Sequence, residues 1–553
     1  RLSLVGSEMC IRDRYKVENM SAAATMSATS DSDMMMDSLA NPDNVDTSDL
    51  PAVGDNVTRH VLEAEEELRL EVPFLGTKLE STCQIQLVKG SCELWGVELA
   101  LHKKYLFDGG FKAAIFTWHG CVVDITCEHL DINYTSHETA ANVAYVNTHA
   151  QLEALRDEAV VNNTVGPRTL IVGPPESGKS SLAKVLVAYA TKLGRTPLWV
   201  DLDPADNAVS VPGTLAVVPM TGDTAVVETY ATGGIPIGTT PLVLFHGSTT
   251  LQPELFKAQV TSLATKINGR FENSKDNNTA TENAGGEDEK KSTANNNNNN
   301  SNERSSGIIV NTNGWIQDEG FQLLLHTVKV MDINIVLIMG HDRLYSMMSN
   351  HFKKNPPTEE GALPIKVIKL PRSGGTVSRE TVFLRQARSR SMKRYFYGDM
   401  VDPPVTISGS DKPSSSNSAG NASASGSVAR VPQLTPFLNQ LSFSTLTLYK
   451  LSSIALSASL LPVAQAQSTD SIQVQQVELS EALQHTLLAV CHPLAVAAYQ
   501  QSGRARDLYE AGVAGFCAVE RVIMDTDMVH LLCPCAGSLP SNTLLLGDIT
   551  WME

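Results

Sequence analysis

Gly173-Pro174-Pro175-Glu176-Ser177-Gly178-Lys179-Ser180 is a complete G-x-x-x-x-G-K-[ST] run. Residues of these types at this spacing suit a polyphosphate. The glycines let main-chain N–H groups turn inward around phosphate oxygens, at the positive end of whatever helix follows. The Lys179 ammonium reaches the β and γ phosphates, and the Ser180 hydroxyl offers an oxygen to Mg²⁺. Gly173, Glu176, Ser177, Gly178, Lys179, Ser180 and Ser181 are therefore the candidate nucleotide-binding residues. A second group of acids, Asp201 and Asp203, closes the apolar run Pro197-Leu198-Trp199-Val200, where a P-loop sheet places its magnesium-side carboxylate. Strand residues two apart share a face, so periodicity leaves the two aspartates equivalent. No N-K-x-D follows a strand, which disfavours guanine and leaves ATP with Mg²⁺ as the expected ligands.

Chemistry of this kind needs a rigid frame, and the flanking sequence supplies one. Thr169–Val172 is an apolar strand, and Ser181–Leu193 is an amphipathic helix stopped by Gly194. From Thr169 to about Tyr397, apolar strands (TLIVG, PLWVDLD, IIVNT, INIVLIMG, IKVIKL) alternate with helical stretches, the pattern of a parallel α/β sheet. Ahead of it lie short β-type runs such as ELRLEVPF, CQIQLVKG and CVVDITC, then a helical stretch Thr148–Ala159. The expected fold class is α/β: a central P-loop NTPase domain with a parallel sheet (161–402), an N-terminal β-sandwich (59–160) and a C-terminal mixed α/β domain (403–553). Residues 1–58 read as a disordered tail, of which RLSLVGSEMCIRDR (1–14) resembles a translated adapter artefact. Residues 273–306 and 408–429 read as low-complexity insertions.

Bulk properties exclude some functions. A chain of 553 residues predicts roughly two to four domains. Its formal net charge of −17 argues against coating nucleic acid by bulk electrostatics, so any RNA must meet a local basic patch. Nine cysteines at irregular spacing suit a reducing compartment. Cys533 and Cys535 lack a second pair at zinc-finger spacing and read as two buried thiols. No run is long and apolar enough to span a bilayer; Leu451–Gln467 looks like a secretory leader but is internal.

Taken together, blocks spread from about Glu63 to the C-terminus resemble the eukaryotic polynucleotide 5′-hydroxyl kinase family that doubles as the kinase-fold subunit of pre-mRNA cleavage factor II, the cleavage and polyadenylation factor. They include EEELRLEV, CELWGVELALHKKYLFDGG, GPPESGKSSL, VDLD followed by VSVPGT, VNTNGWIQDEGFQLLLH, SGGTVSRE, VAGFCAV and CPCAGSLPSNTLLL. The resemblance implies transfer of the ATP γ-phosphate to the 5′-hydroxyl of RNA. Asp203 matches the family's metal-side or base acid, and Glu67 and Lys112 match positions that hold the nucleotide base. Arg379, Arg385 and Arg388 fall in a segment, Arg379–Arg394, matching an arginine-bearing lid over the transferring phosphates. Trp315 stands where relatives have a tryptophan at the active-site rim, with RNA stacking and buried packing both open. The implied partners are the RNA 5′ end, the large scaffold subunit of cleavage factor II and the tRNA-splicing endonuclease. The implied location is the nucleus.

Some positions depart from the family's pattern. Kinase-type relatives show D-x-x-Q where this chain has Asp203-Pro204-Ala205-Asp206, and Pro-Gly where it has Leu251-Gln252. Leu384, beside Arg385, stands at a lid-arginine position. Two readings remain: an active RNA kinase, and a scaffold subunit holding ATP as a structural ligand.

Overall fold

In residues 57–136 apolar side chains recur at every second position, as in sheets with one dry face. The strands are β1 (Val57–Leu62), β2 (Glu67–Glu71), β3 (Thr82–Gly90), β4 (Glu93–Leu94), β5 (Val97–Glu98), β6 (Lys104–Asp108), β7 (Lys112–Phe116), β8 (Cys121–Cys127) and β9 (Ile132–Ser136). They make a four-stranded sheet, β1-β8-β3-β6, and a five-stranded sheet, β5-β4-β7-β2-β9. Leu62, Leu68, Ile85, Leu94 and Ile115 are fully buried in the shared core. This is the expected β-sandwich. Two of its strands, β1 and β9, escape pattern reading because both lie at sheet edges and bury little; β9 reads Ile-Asn-Tyr-Thr-Ser. In this computed structural model the described residues are 50, 53–54, 56–74, 82–127, 129–232, 239–280, 302–356, 364–401, 431–453, 472–478 and 480–552.

Helix α1 (Ala140–Val161) leads out of the sandwich and starts earlier than the expected Thr148. Its buried stripe includes Thr148, His149 and Arg156, polar residues that an apolar period does not count. The central sheet follows: β10 (Arg168–Val172), β11 (Leu198–Asp201), β12 (Thr214–Pro219), β13 (Leu242–Phe245), β14 (Ile308–Asn311), β15 (Ile335–Met339) and β16 (Lys366–Leu370), ordered β13-β12-β11-β14-β10-β15-β16. The five anticipated strands are the parallel ones, β11-β14-β10-β15-β16. β12 and β13 add an antiparallel edge. Around the sheet run α2 (Lys179–Lys192), α3 (Val227–Thr232), α4 (Pro253–Ala280), α5 (Glu319–Val330) and α6 (Asp342–Lys354), and then α7 (Thr381–Tyr397). Helices α4 and α5 bury Phe256, Val260, Leu263, Phe321 and Leu324 in the core that also holds Leu170, Val200 and Val310.

The chain divides into two compact units, residues 1–387 and 388–553, with the division inside α7. The second unit contains β17 (Met400–Val401), β18 (Val431–Pro432), β19 (Phe437–Ser442), β20 (Thr447–Ser453), β21 (Ile472–Gln476), β22 (Thr486–Cys491), β23 (Val513–Ile523), β24 (Met528–Cys533) and β25 (Thr543–Thr550), with α8 (Pro493–Ser502) and α9 (Arg506–Tyr509). Its seven-stranded sheet runs β19-β24-β23-β22-β25-β20-β21. Tyr395 and Phe396 of α7 pack on Phe516 and Trp551 in this unit. Cys533 is buried there but Cys535 is exposed, so the expectation of two buried thiols is corrected: the chain leaves the sheet after Cys533.

The expected insertion at 273–306 is narrower at both ends, since α4 continues to Ala280. Residues 302–306 are helical, Glu303 pairs with Arg270, and Ser306 is fully buried. Residues 281–301, the low-complexity stretch 408–429, most of the leader-like run and the tail before residue 50 lie outside the described residues. No helix among the described residues is long and apolar enough to cross a membrane.

Two glycines permit the crossing that starts β10 and β14. Gly307 has φ +72°, and a Cβ on it would lie 2.1 Å from the Pro167 carbonyl oxygen; one on Gly166 would lie 2.0 Å from that of Ser305. Gly307→Ala should destabilise the first unit by about 2–4 kcal/mol through left-handed strain and the clash. Urea denaturation followed by intrinsic fluorescence checks this; an unchanged midpoint would refute the crossing.

Candidate functional site

Between the end of β10 at Val172 and the start of α2 at Lys179 the chain must curl tightly, and its residue types permit this. Gly178 has φ +90°, and a Cβ on Gly173 would meet Ser177 Oγ at 2.7 Å. Glu176 adopts φ +57°, a left-handed conformation unusual for a side-chain-bearing residue. The Pro174 carbonyl accepts from Lys179 Nζ at 2.7 Å and from Ser177 Oγ at 2.9 Å. No side chain caps the α2 N-terminus, so its first-turn N–H groups face the loop. Lys179 is 6% exposed, and burial lowers its pKa from 10.5 to about 8, with Asp203 opposing that and Arg379 adding to it. Ser180 is half-buried; Ser181, also in the first turn, is exposed.

The structure separates the two carboxylates that strand periodicity leaves equivalent. Asp201 is fully buried. Its Oδ1 accepts from the Asp203 N–H at 3.0 Å and from Asn311 Nδ2 at 3.2 Å, and its Oδ2 from the Ala208 N–H at 2.9 Å. Burial and then Asp203 raise its pKa to about 7. Asp203 lies just beyond the strand and is only half-buried; its Oδ1 accepts from the Ala205 N–H, and its charge is felt at Lys179. Asn311 joins the halves, its Nδ2 also lying 3.2 Å from Ser180 Oγ.

The lid segment returns to this loop. The Arg379 N–H donates to Glu176 Oε1 at 2.5 Å, and its guanidinium pairs with Asp206 Oδ2 at 2.9 Å. Arg385 is exposed on α7, and Arg388, three residues on, is half-buried. Leu384 is half-buried. Leu251 fills part of the central core, and the Gln252 N–H donates to His246 Nε2, so this departure from the family's pattern has a packing basis.

Glu67 and Lys112 are tied to other partners. Glu67, 3% exposed, accepts from Arg69 Nε at 2.6 Å. Lys112 Nζ donates to Glu71 at 2.5 Å and sits 4.8 Å from the Phe383 ring centroid of α7. Arg69 lies against Gly374 and Gly375 and under Tyr134. Glu67 thus reaches the glycines ahead of the lid segment through Arg69, and Lys112 meets the segment directly at Phe383. Arg69 was missed, although strand alternation puts it on the face of Glu67 and Glu71. Asn311 was missed too; a polar residue ending the apolar run Ile308-Ile309-Val310 at the carboxyl edge of a parallel sheet is the available signal. The Trp315 ring covers Gly320 yet stays 37% exposed, and neighbouring Gly314 abuts Pro175 of the P-loop.

These residues suit a magnesium nucleotide. The loop has the glycines and uncapped N–H groups a polyphosphate requires, and Lys179 supplies a cation held by one carbonyl. The Ser180 hydroxyl and Asp203 carboxylate are hard oxygen donors, and the buried Asn311 Oδ1 has no hydrogen-bond partner among the described residues.

Comparison with known proteins bears on the same elements. Residues 61–159 match the N-terminal beta-sandwich domain of polyadenylation factor. Residues 173–281 and 288–398 match the mRNA cleavage and polyadenylation factor CLP1 P-loop. Residues 434–553 match the pre-mRNA cleavage complex II protein Clp1. Protein CLP1 homolog of Dictyostelium discoideum is 32% identical over 504 residues, covering 90% of each chain. The chain belongs to the Clp1 family. Polyribonucleotide 5′-hydroxyl-kinase Clp1 of Homo sapiens is 30% identical over 498 residues, 90% of this chain and 97% of that one. Among solved structures, wild-type Clp1p in complex with Pcf11p shares the fold with TM-score 0.66 at 20% identity, covering 91% of this chain and all of that one. A second Clp1p–Pcf11p structure, with TM-score 0.65 at 20% identity, concerns loss of ATP in a glycine-to-arginine point mutant.

Two outcomes follow for this Clp1-family site. An anion arriving at Lys179 restores its ordinary affinity for a proton. ATP binding measured in EDTA should therefore weaken as pH rises above about 8 and take up protons there, the ammonium being lost first in the free protein. Titration calorimetry in buffers of different ionisation enthalpy checks this; pH-independent binding from 7 to 9 would refute it. Asp206→Gln frees Arg379 and removes a negative charge, so it should tighten ATP about two- to fivefold at low salt, the worth of one partly exposed charge contact. Equal or weaker affinity in the variant would count against that reading of the pair.

Proposed function

We propose that this Clp1-family protein is an ATP-dependent RNA 5′-hydroxyl kinase of pre-mRNA 3′-end cleavage and polyadenylation. The observation that carries it is the convergence on one loop of Lys179, Ser180, Asp203 and Arg379, the parts phosphoryl transfer needs, in a chain whose human relative is named a polyribonucleotide 5′-hydroxyl kinase.

ATP supplies the γ-phosphoryl group when bound. Lys179 and the α2 N-terminus would hold its negative oxygens, and Ser180 would hold Mg²⁺. Asp203, half-buried and close enough for its charge to act on Lys179, would either hold that Mg²⁺ through a water or accept the proton of the RNA 5′-hydroxyl as that oxygen bonds to phosphorus and the β–γ bridge breaks towards ADP. Arg379, with Arg385 and Arg388 behind it on α7, balances charge on the moving group. Glu67 and Lys112 orient the base through the lid contacts of Arg69 and Phe383. Trp315 offers its exposed face for stacking an RNA base. A large subunit like the Pcf11p bound to Clp1p is the expected protein partner; the tRNA-splicing endonuclease is a second. Either partner is in keeping with a nuclear location.

The alternative, a scaffold holding ATP as a structural ligand, is favoured by one observation: the lid arginine is already engaged by Asp206, where kinase-type relatives carry glutamine. The experiment is transfer from γ-labelled ATP to a 5′-hydroxyl RNA oligonucleotide. Wild type should label it, and Lys179→Ala should lower the rate about a hundredfold or more. Tight ATP binding by wild type with no labelled RNA would select the scaffold.

A further inference from the structure

Asn311 has a position that the phosphate chemistry alone does not explain. It ends β14, whose neighbours in the sheet are β10, which feeds the P-loop, and β11, which feeds the acids. Its Cα pairs with Ile171 on one side and Asp201 on the other, and its carbonyl accepts the Leu202 N–H at 3.0 Å, so its backbone is fixed from both sides. The side chain is fully buried. Its Nδ2 is 3.2 Å from Ser180 Oγ and 3.2 Å from Asp201 Oδ1, while its Oδ1 is buried and unpartnered.

While Asp201 is ionised, the amide faces one way. Asp201 Oδ1 already accepts the Asp203 N–H, so turning Asn311 Oδ1 towards it would set two acceptors against each other. With Nδ2 donating, one lone pair of the Ser180 oxygen is occupied from below. The hydroxyl is thereby held in one orientation, with its remaining lone pair and proton directed elsewhere. The same donation orients Asp201, whose other contacts hold Asp203 and Ala208 at the start of the acid loop. A leucine of similar volume would fill the space without leaving a buried acceptor unsatisfied. Packing therefore does not account for the residue.

We propose that Asn311 is a positioning residue of the divalent-cation site. Its amide N–H presents the Ser180 oxygen to the cation, and its free Oδ1 accepts from a cation-bound water. The inference rests on the reading of Ser180 as a metal ligand, and not on whether RNA is the acceptor. It places in the outer layer of the site a neutral group where a third carboxylate beside Asp201 and Asp203 would repel both.

The test uses the full-length protein and two readouts. ATP affinity is measured by calorimetry in EDTA and again in Mg²⁺, and Mn²⁺ bound in the presence of ATP is counted by electron paramagnetic resonance. Asn311→Leu should leave EDTA-state ATP affinity within about twofold, because the loop and Lys179 are untouched. It should weaken Mn²⁺ about tenfold or more and remove most of the Mg²⁺-dependent gain in ATP affinity. Wild-type Mn²⁺ affinity in Asn311→Leu overturns the proposal, as does an equal loss of ATP affinity with and without metal. Should Asn311→Leu fail to fold, Asn311→Thr takes its place: Mn²⁺ weakened about threefold or more supports the proposal, and unchanged Mn²⁺ overturns it. A protein that binds Mn²⁺–ATP normally yet phosphorylates no RNA refutes the proposed kinase activity while leaving this inference standing.

Discussion

An ammonium group that is 6% exposed and answered by a single carbonyl oxygen is the constraint on which the site depends. Removing a charge from water is costly, and here the cost appears as a pKa lowered to about 8. A buried ammonium of this kind is what a polyphosphate site requires. Gly173, Gly178 and the left-handed Glu176 allow the loop to wrap closely around Lys179 and leave the end of α2 uncapped. An anion entering that space meets a cation and several N–H groups that water solvates poorly, so binding relieves the desolvation that folding imposed.

Sheet order turns this loop into a site. With β14 lying between β10 and β11, three consecutive carboxyl ends converge: the P-loop, the acid loop after Asp201, and the Asn311–Trp315 turn. Parallel strands place these ends along one edge, where ligands of open α/β sheets bind. The Thr312 hydroxyl donates to the Ile171 carbonyl at 2.8 Å, tying the third turn back to the strand beneath the phosphates. The antiparallel β12 and β13 extend the sheet on the far side of β11 and shield the strand that carries Asp201, a residue whose burial demands that every oxygen be hydrogen-bonded.

The legible parts of this architecture are those with a strong local signal. The P-loop announces itself by residue type, and the five parallel strands by unbroken apolar runs, because both their faces are covered. The sandwich was legible in its central strands and not in β1 and β9, whose edge positions leave only one residue of the two strands, Leu62, fully buried. Asp201 and Asp203 could not be ranked from sequence. Their difference lies in hydrogen bonds from Ala208 and Asn311, seven and 110 residues away. Glu67 and Lys112 were legible only through family likeness; their charges are spent on Arg69 and Glu71, and what they touch is decided by where the sandwich meets the lid segment.

That meeting bears on how the lid segment is held. The segment from Ser373 to Phe383 has two kinds of hold. On the sandwich side, Arg69 fits against Gly374 and Gly375 so closely that a Cβ on Gly375 would lie 3.0 Å from its Nε, and Phe383 packs edge-on to Phe74. On the P-loop side, Arg379 pairs with Asp206 while 35% exposed, and Asp206 is 48% exposed. A pair this open contributes at most about 1 kcal/mol and less in salt. The packed contacts hold the segment against the sandwich; the ion pair holds Arg379 only weakly. A triphosphate carrying more charge than one carboxylate competes well for that guanidinium. The same asymmetry bears on Asp206, which departs from the glutamine of the D-x-x-Q pattern: its charge is neutralised by the Arg379 guanidinium it restrains, so it adds no unpaired carboxylate to the site.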